Sequence, residues 1–598
     1  MNRSGKLILL WCSLCCAAAA GAPLTQVELF GSGHPQTFNF RVMAGIDRYP
    51  SYKAWKRDAA QFGGIIGKVL NEEYNPLVPN REAGAYPHDF FNRFKAEFPE
   101  KLVFLHYNGR ARFPGDTLAP ISKYFAGHWL YHEGSKTQSA IPAETGLTTI
   151  PVEDISRFRL DAGQRLKHIL LNDDLVIVRL DADGQPDWHH AEQVVLVDQD
   201  ENASTITVRR AQYHTEPLSF SAGQAYIAAH VIEGPWGGTD PRLMWFYNYS
   251  LDSPRDAEGR RCIDVMVEEI TGFFESGGLL ENFDGLEFDV QFSEIWRNWD
   301  LSRGVDSNGD LVPDGGIDLT TGENRYGQGM AEFQQMLRSR MGPEKLIMAD
   351  NFMSGHMRGF QLYNGVEIEE FYKRDALEWS SHLNRNRFWR ENTHAPSFNF
   401  AKISPANTSE NRIQLACMLF TDYAAALSLR SMLGAQQMDE LVNGRARNIT
   451  GWLGQPRGEM IQLAKAQPNV LATLDTSDLL VTEPETQSHR SMETGGLVIK
   501  GASSATRNME FQLADIPAAG SANVVVFLTI AAEPLPEFPA FVARRIKVDA
   551  VRADGTPIEL SLRPEQNMFE LGPNDYFGYV NQEPFELSFY FFDVPLLI

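Results

Sequence analysis

The feature that most constrains this chain is an alternation: from about residue 38 to residue 405, short apolar runs take turns with amphipathic helical patterns. A strand followed by a helix and then by a second strand running the same way builds a parallel sheet covered by helices. The apolar runs fall at 40–46, 63–67, 102–107, 244–249, 285–290, 346–350, 366–370 and 397–403. Eight strands in series are the count for a (β/α)8 barrel, so the sequence predicts an α/β fold with a TIM barrel over residues 38–474.

Two stretches depart from that alternation. After the third apolar run come the β-type segments Leu175-Val-Ile-Val-Arg-Leu180, Gln193-Val-Val-Leu-Val-Asp198 and Ser204-Thr-Ile-Thr-Val-Arg-Arg210, separated by Asp/Gly/Asn turns. They predict a small all-β insertion over 149–233, on the C-terminal rim of the barrel, where it either shapes a site or is purely structural. From 475 to 598 the runs 497–500, 522–529, 545–548, 558–562 and 585–592 predict a C-terminal β-sandwich.

The first residues carry Arg3 and Lys6, then an apolar run from 7 to 20 and small residues to Ala22. That is the three-part form of a secretory signal peptide, assigned here to 1–21, so an exported protein, periplasmic or extracellular, is expected. Lipoprotein anchoring is the less favoured alternative, because Leu14 or Cys15 stands where a small residue should precede the modified cysteine. No later stretch has about 18 uninterrupted apolar residues, which predicts no integral membrane segment after cleavage. Only Cys262 and Cys417 lie beyond the leader, enough for one bridge or two buried thiols and too few for a disulfide framework.

Lys and Arg total 54 against 77 Asp and Glu, a formal net charge of −23, and loss of the leader makes the chain more acidic still. Such a surface disfavours nucleic acid and anionic membranes and suits a neutral or cationic substrate. No H-E-x-x-H spacing, Gly-rich nucleotide loop or G-x-S-x-G elbow is present.

Parallel barrels carry their chemistry at the C-terminal ends of the strands, and here those ends are acidic. In Phe283-Asp-Gly-Leu-Glu-Phe-Asp-Val290, strand alternation puts Glu287 and Asp289 on one face. The next strand ends in Asp350-Asn351, and the one after it places Glu367 and Glu369 on a common face. Paired carboxylates on different strands are what glycosidic cleavage requires, one as nucleophile or base and one as acid; crowding raises the pKa of at least one. Asp289 and Glu369 are the expected catalytic pair, with Asp350 in reserve; the plainer alternative is that these acids pair with basic side chains on the rim. Glu287, Asp47, His106, Tyr107, Asn108, Tyr247, Asn248 and Asn351 are candidate sugar-hydroxyl ligands, with Trp296 and Trp299 as stacking platforms. Downstream, Asp306, Asn308, Asp310 and Asp314 have the oxygen spacing that opens a calcium loop, although Leu311 replaces the turn glycine and an Asx-rich turn is the alternative.

The segments Phe283-Asp-Gly-Leu-Glu-Phe-Asp289, Asn364-Gly-Val-Glu-Ile-Glu369 and Trp452-Leu-Gly-Gln-Pro456 together resemble bacterial glycoside hydrolases built of a TIM barrel and a C-terminal β domain. The resemblance spans about residues 38–480; the β insertion departs from the simplest members. It implies an essential aspartate on the D-G-x-x-x-D strand, Asp289, and a glutamate on the G-V-x-x-E strand, Glu369. The expectation is an exported glycoside hydrolase acting on a poly- or oligosaccharide, with calcium as a structural ion. The rivals are a non-catalytic carbohydrate-binding or surface-assembly protein on the same scaffold, and a carbohydrate lyase or other hydrolase using the same acids.

Overall fold

The computed structural model describes residues 36–42, 51–70, 87–115, 119–160, 173–233, 243–291, 295, 303–321, 325–350, 362–368, 393–402 and 424–427, and strand segments between 480 and 597. Its centre is a TIM-like parallel barrel. The strands are β1 (Thr37–Val42), β2 (Gly64–Gly67), β3 (Leu102–Asn108), β4 (Gly285–Asp289), β5 (Leu346–Asp350), β6 (Gly365–Ile368), β7 (Phe400–Lys402) and β8 (Ala424–Leu427). Each pairs in parallel with its neighbours in chain order, and β8 returns to β1 to close the ring.

Two of the sequence expectations need correction. The run at 244–249 is not a barrel strand: Met244–Phe246 joins Ala111–Arg112 and Ile232–Glu233 in a small antiparallel sheet. The eighth strand is instead Ala424–Leu427, inside a segment whose alanine-rich pattern reads as helix. Alanine favours helices in isolation, yet these residues fill the gap between two unpaired edges, with Ala424 opposite Phe400 and Ala425 opposite Thr37. Closing the sheet outweighs a propensity worth only tenths of a kcal/mol per residue.

Strand parity divides the core. Phe38, Phe40, Ile66, Phe104, Met348, Phe398 and Phe400 point inward and fill the lower barrel as one cluster, with Phe38 edge-on to Phe398 at 5.1 Å. Their alternates Ile65, Val103, Leu105, Leu286, Phe288 and Ile347 face outward. These pack under α1 (Tyr52–Ala59), α2 (Pro87–Glu97), α3 (Cys262–Phe274) and α4 (Arg325–Met341). Among these helices α3 turns the buried, free Cys262 inward, and burial pushes its thiol up; Cys417 lies outside the described residues.

A recurrent side-chain latch holds the strand starts together. Asp284 Oδ2 accepts from Val103 N at 2.7 Å, Asn364 Oδ1 from Ile347 N at 2.9 Å, and Asn399 Oδ1 from Val366 N at 2.9 Å. In each case a residue just before or at the start of one strand satisfies a main-chain N–H of the preceding strand. Gly365 follows Asn364 for a steric reason: a Cβ there would lie 1.6 Å from Phe398 O.

Between β3 and β4 the chain builds a six-stranded antiparallel sheet in the order 135–136, 225–229, 174–180, 186–200, 205–209, 147–151. It therefore takes in Ser135 and Lys136, upstream of the expected boundary at 149. At its junction with the small sheet, Trp245 Nε1 and Tyr213 OH both donate to Asp174, and burial pushes that carboxyl up to about 6. In the C-terminal region the described strands form antiparallel pairs, the longest being Ser521–Ala532 with Phe585–Leu597; no packed sandwich is described there. Among the described residues no helix is long and apolar enough to cross a membrane.

Candidate active site at the C-terminal end of the barrel

The interior changes character along the barrel axis. Above the phenylalanines, the same inward parity brings His106 of β3, Glu287 and Asp289 of β4, Asp350 of β5 and Glu367 of β6 onto one face. Register sets their heights: Glu287 lies opposite His106, Asp289 opposite Asn108, and Asp350 opposite Glu367. Lys402, two residues beyond the inward Phe400, sits with its Nζ 5.8 Å from the Phe40 ring centre.

These groups are not equivalent. Glu287, Asp350 and Glu367 are buried, whereas the Asp289 side chain keeps 16% of its surface open and is the carboxylate a substrate can reach. His106 links two of them: its Nδ1 lies 2.5 Å from Glu287 Oε2, and its Nε2 lies 3.5 Å from Asp289 Oδ2. The imidazole is also edge-on to Phe40 at 6.3 Å, which seats it between the apolar floor and the acidic layer. Directly after Asp289, Val290 has φ of 48° and donates its N–H to Asp350 Oδ2 at 3.3 Å. A β-branched residue in the left-handed region is strained by about 1–3 kcal/mol and persists only where its surroundings hold it. Here Gly109 N also donates to Asp289 O at 2.7 Å, so the peptide unit that follows the reachable carboxylate is held at both its oxygen and its nitrogen.

Of the expected site residues, the structure therefore brings Asp289, Asp350, Glu287 and His106 together, and it adds Glu367 and Lys402. Glu369, Asp47, Asn351, Trp296 and Trp299 lie outside the described residues. Tyr107 and Tyr247 are not brought to the interior. They meet outside the barrel, hydroxyl to hydroxyl at 3.0 Å, where the Arg112 guanidinium pairs with Glu269 of α3. Asn248 is buried too, donating to Ser307 O and accepting from Ser250 N. Asn108 sits at the rim, where it caps the turn through Arg110 N and Ala111 N and donates to Glu233. Strand parity explains the difference. Tyr107 alternates with His106 and so points out, and the segment holding Tyr247 and Asn248 belongs to another sheet.

The Arg110–Glu233 ion pair at the same rim went unread in the sequence, since its partners lie on either side of the insertion. So did the strand-start role of Asp284 and Asn364. Parity from the phenylalanines of 398–400 was the signal that could have found Lys402.

The 306–314 loop docks on the insertion through Trp188 Nε1 donating to Gly309 O at 2.8 Å. Asp306 accepts from Gly309 N and Leu311 N; Asp314 accepts from Ser307 N, Asn308 N and Gly316 N; Asp310 accepts from Val312 N and Asn308 Nδ2. Leu311 takes the left-handed conformation, φ 73°, that a glycine would adopt more cheaply. Burial is the main reason Asp306 is pushed up to about 7, with Asp314 and Asp310 adding repulsion against the pull of the N–H donors. Among the described residues no group of three or more His, Cys, Asp or Glu side chains is set to hold a metal ion.

No family model matches the chain, and no curated protein matches it. Among solved structures it is similar to the sucrose 6F-phosphate phosphorylase of Thermoanaerobacter thermosaccharolyticum, with a TM-score of 0.30 and 10% identity over 73% of this chain and 84% of that one. A likeness that weak bears on neither substrate nor reaction.

Proposed function

We propose that the protein is a glycoside hydrolase whose reaction takes place at the acidic mouth of the barrel, with Asp289 as the reachable carboxylate and Glu369 as its partner. The observation that carries this reading is the position of Asp289: partly open, at a strand end, beside buried acids and with the peptide that follows it held at both ends. An ionised carboxylate so placed can attack an anomeric carbon or activate water, while a second acid protonates the leaving oxygen. A poly- or oligosaccharide outside the cell is the substrate we infer, consistent with the acidic charge and the leader-like N-terminus. Calcium in the 306–314 loop belongs to the same proposal. Each carboxylate oxygen that accepts one N–H retains a second lone pair for a cation.

The test is a panel of neutral polysaccharides and oligosaccharides incubated with the purified protein and with Asp289→Asn, scored for new reducing ends and by product mass. Reducing ends with added water from wild type only are expected. Glycan binding without product from either protein would overturn hydrolysis in favour of a binding protein, and an unsaturated product without added water would make it a lyase.

A further inference from the structure

The layer below the reachable aspartate contains a group that the hydrolytic reading does not use. His106 is enclosed, and its two ring nitrogens face two different carboxylates of one strand, Glu287 at 2.5 Å and Asp289 at 3.5 Å. A residue that bound sugar hydroxyls would have to present a nitrogen to the cleft, and here neither nitrogen does so. We propose that Glu287, His106 and Asp289 form a charge relay in which buried Glu287 keeps the imidazole protonated and His106, as a positioning residue, keeps the Asp289 carboxylate oriented.

The alternation of β4 makes this arrangement. Glu287 and Asp289 are two residues apart, so their carboxylates stand one above the other on the inner face, and register with β3 sets His106 beside them. Nδ1–H donates to Glu287 Oε2, which fixes the ring plane and leaves Nε2–H directed at Asp289 Oδ2. In this state the three groups carry one net negative charge, whereas a neutral ring would set a lone pair against the Asp289 carboxylate. Among the described residues the other charged groups on the inner face are Asp350 of β5, Glu367 of β6 and Lys402 of β7; Ile66 of β2 and Phe40 of β1 close the apolar side. The neighbouring acids favour a cation at His106, while Lys402 disfavours one. Two carboxylates in direct contact with the ring outweigh one lysine whose ammonium lies over Phe40.

The proposal rests on the hydrolase reading only for its kinetic consequences, so its test has an arm that needs no substrate. In the full chain, the His106 imidazole followed by NMR should titrate above the ordinary value of about 6.5, and Asp289→Asn and Glu287→Gln should each lower its midpoint by about one pH unit or more. A midpoint unmoved by Asp289→Asn overturns the relay, whatever the protein turns over. If Glu287→Gln fails to fold, the Asp289→Asn comparison alone decides the matter. Where a glycan substrate is found, His106→Gln should lower kcat about tenfold and leave KM within about threefold, since the carboxylate and not the sugar has lost its support. A rise in KM with an unchanged kcat would make His106 a sugar ligand and overturn the relay. If no glycan is cleaved while the titration shifts as stated, the relay stands and the hydrolase reading falls.

Discussion

The two ends of the barrel strands both bury polar side chains, and they satisfy them in opposite ways. At the starts, Asp284, Asn364 and Asn399 each accept from a main-chain N–H of the neighbouring strand, a donor that does not titrate, and Asp284 and Asn364 are held further by Lys95 and Arg338. At the ends, Glu287 and Asp289 flank one imidazole, Asp350 and Glu367 follow on the same inner face of the next two strands, and each of these groups can gain or lose a proton. Buried polar groups matched to backbone stiffen a fold, while those matched to one another make their charge depend on their neighbours. The same residue chemistry thus serves stability at one rim and, on the hydrolase reading proposed above, reactivity at the other.

The largest effect expected from breaking this contrast is at the reactive rim. Asp289→Ala and Glu369→Ala should each reduce turnover by at least about a hundredfold with the melting temperature nearly unchanged, as steady-state kinetics and calorimetry can check. Near-wild-type activity in either variant removes that residue from the pair. At the opposite rim the balance should invert. Asn364→Ala removes the acceptor of Ile347 N and Arg338 Nη2, so urea unfolding should show a loss of about 2–3 kcal/mol while kcat stays within about threefold. A large drop in kcat with unchanged stability would erase the distinction between the two rims.

A third test concerns Asp306, whose carboxyl is raised from 3.8 to about 7. The folded state holds that proton more tightly than the unfolded chain, so without a cation its contribution is complete below pH 3.8 and is lost as pH rises through about 7. Calcium binds the ionised form and should reverse the sign, so that stability rises with pH in its presence and Asp306→Asn abolishes the reversal. Melting curves at several pH values, with calcium and with chelator, decide it; identical curves would leave the loop an ordinary Asx turn. The smallest effect belongs to Asp174, raised from 3.8 to about 6 by burial. Its contribution is present below 3.8 and falls away through about pH 6, so Asp174→Asn should flatten the decline in unfolding free energy between those values, read from urea curves, by about 1–3 kcal/mol.

How much of this was legible in the sequence follows from which contacts are local. The two-residue period of a strand sufficed to put Glu287 with Asp289, and the position of a strand end sufficed to mark Asp350. The side of the barrel wall was harder. Tyr107 and His106 are neighbours in sequence and reside in different cores, and only the register against β4 says which one faces inward. The D-G-x-x-x-D segment reads as one motif, yet its first two residues are structural: Asp284 latches β3, and Gly285 gives way to Leu346 O, which would lie 1.7 Å from a Cβ. The eighth strand was invisible for a different reason. Ala424–Leu427 has no strand signal of its own and takes its conformation from the edges it joins.

The small antiparallel sheet has a consequence for how the chain finds this structure. Barrel closure requires β4 to meet β3 across the whole insertion, from Asn108 to Gly285, a separation that makes nucleation slow if the intervening chain is loose. Arg112 pairs with Trp245 and Ala111 with Phe246, while Leu130 N donates to Phe246 O. Once those pairs form, the entry and exit of the inserted segment are clasped together. The distance along the chain between β3 and β4 is then no longer the distance that diffusion must search. A clasp of this kind would shorten the chain search that closes the barrel toward that of an ordinary βα connection.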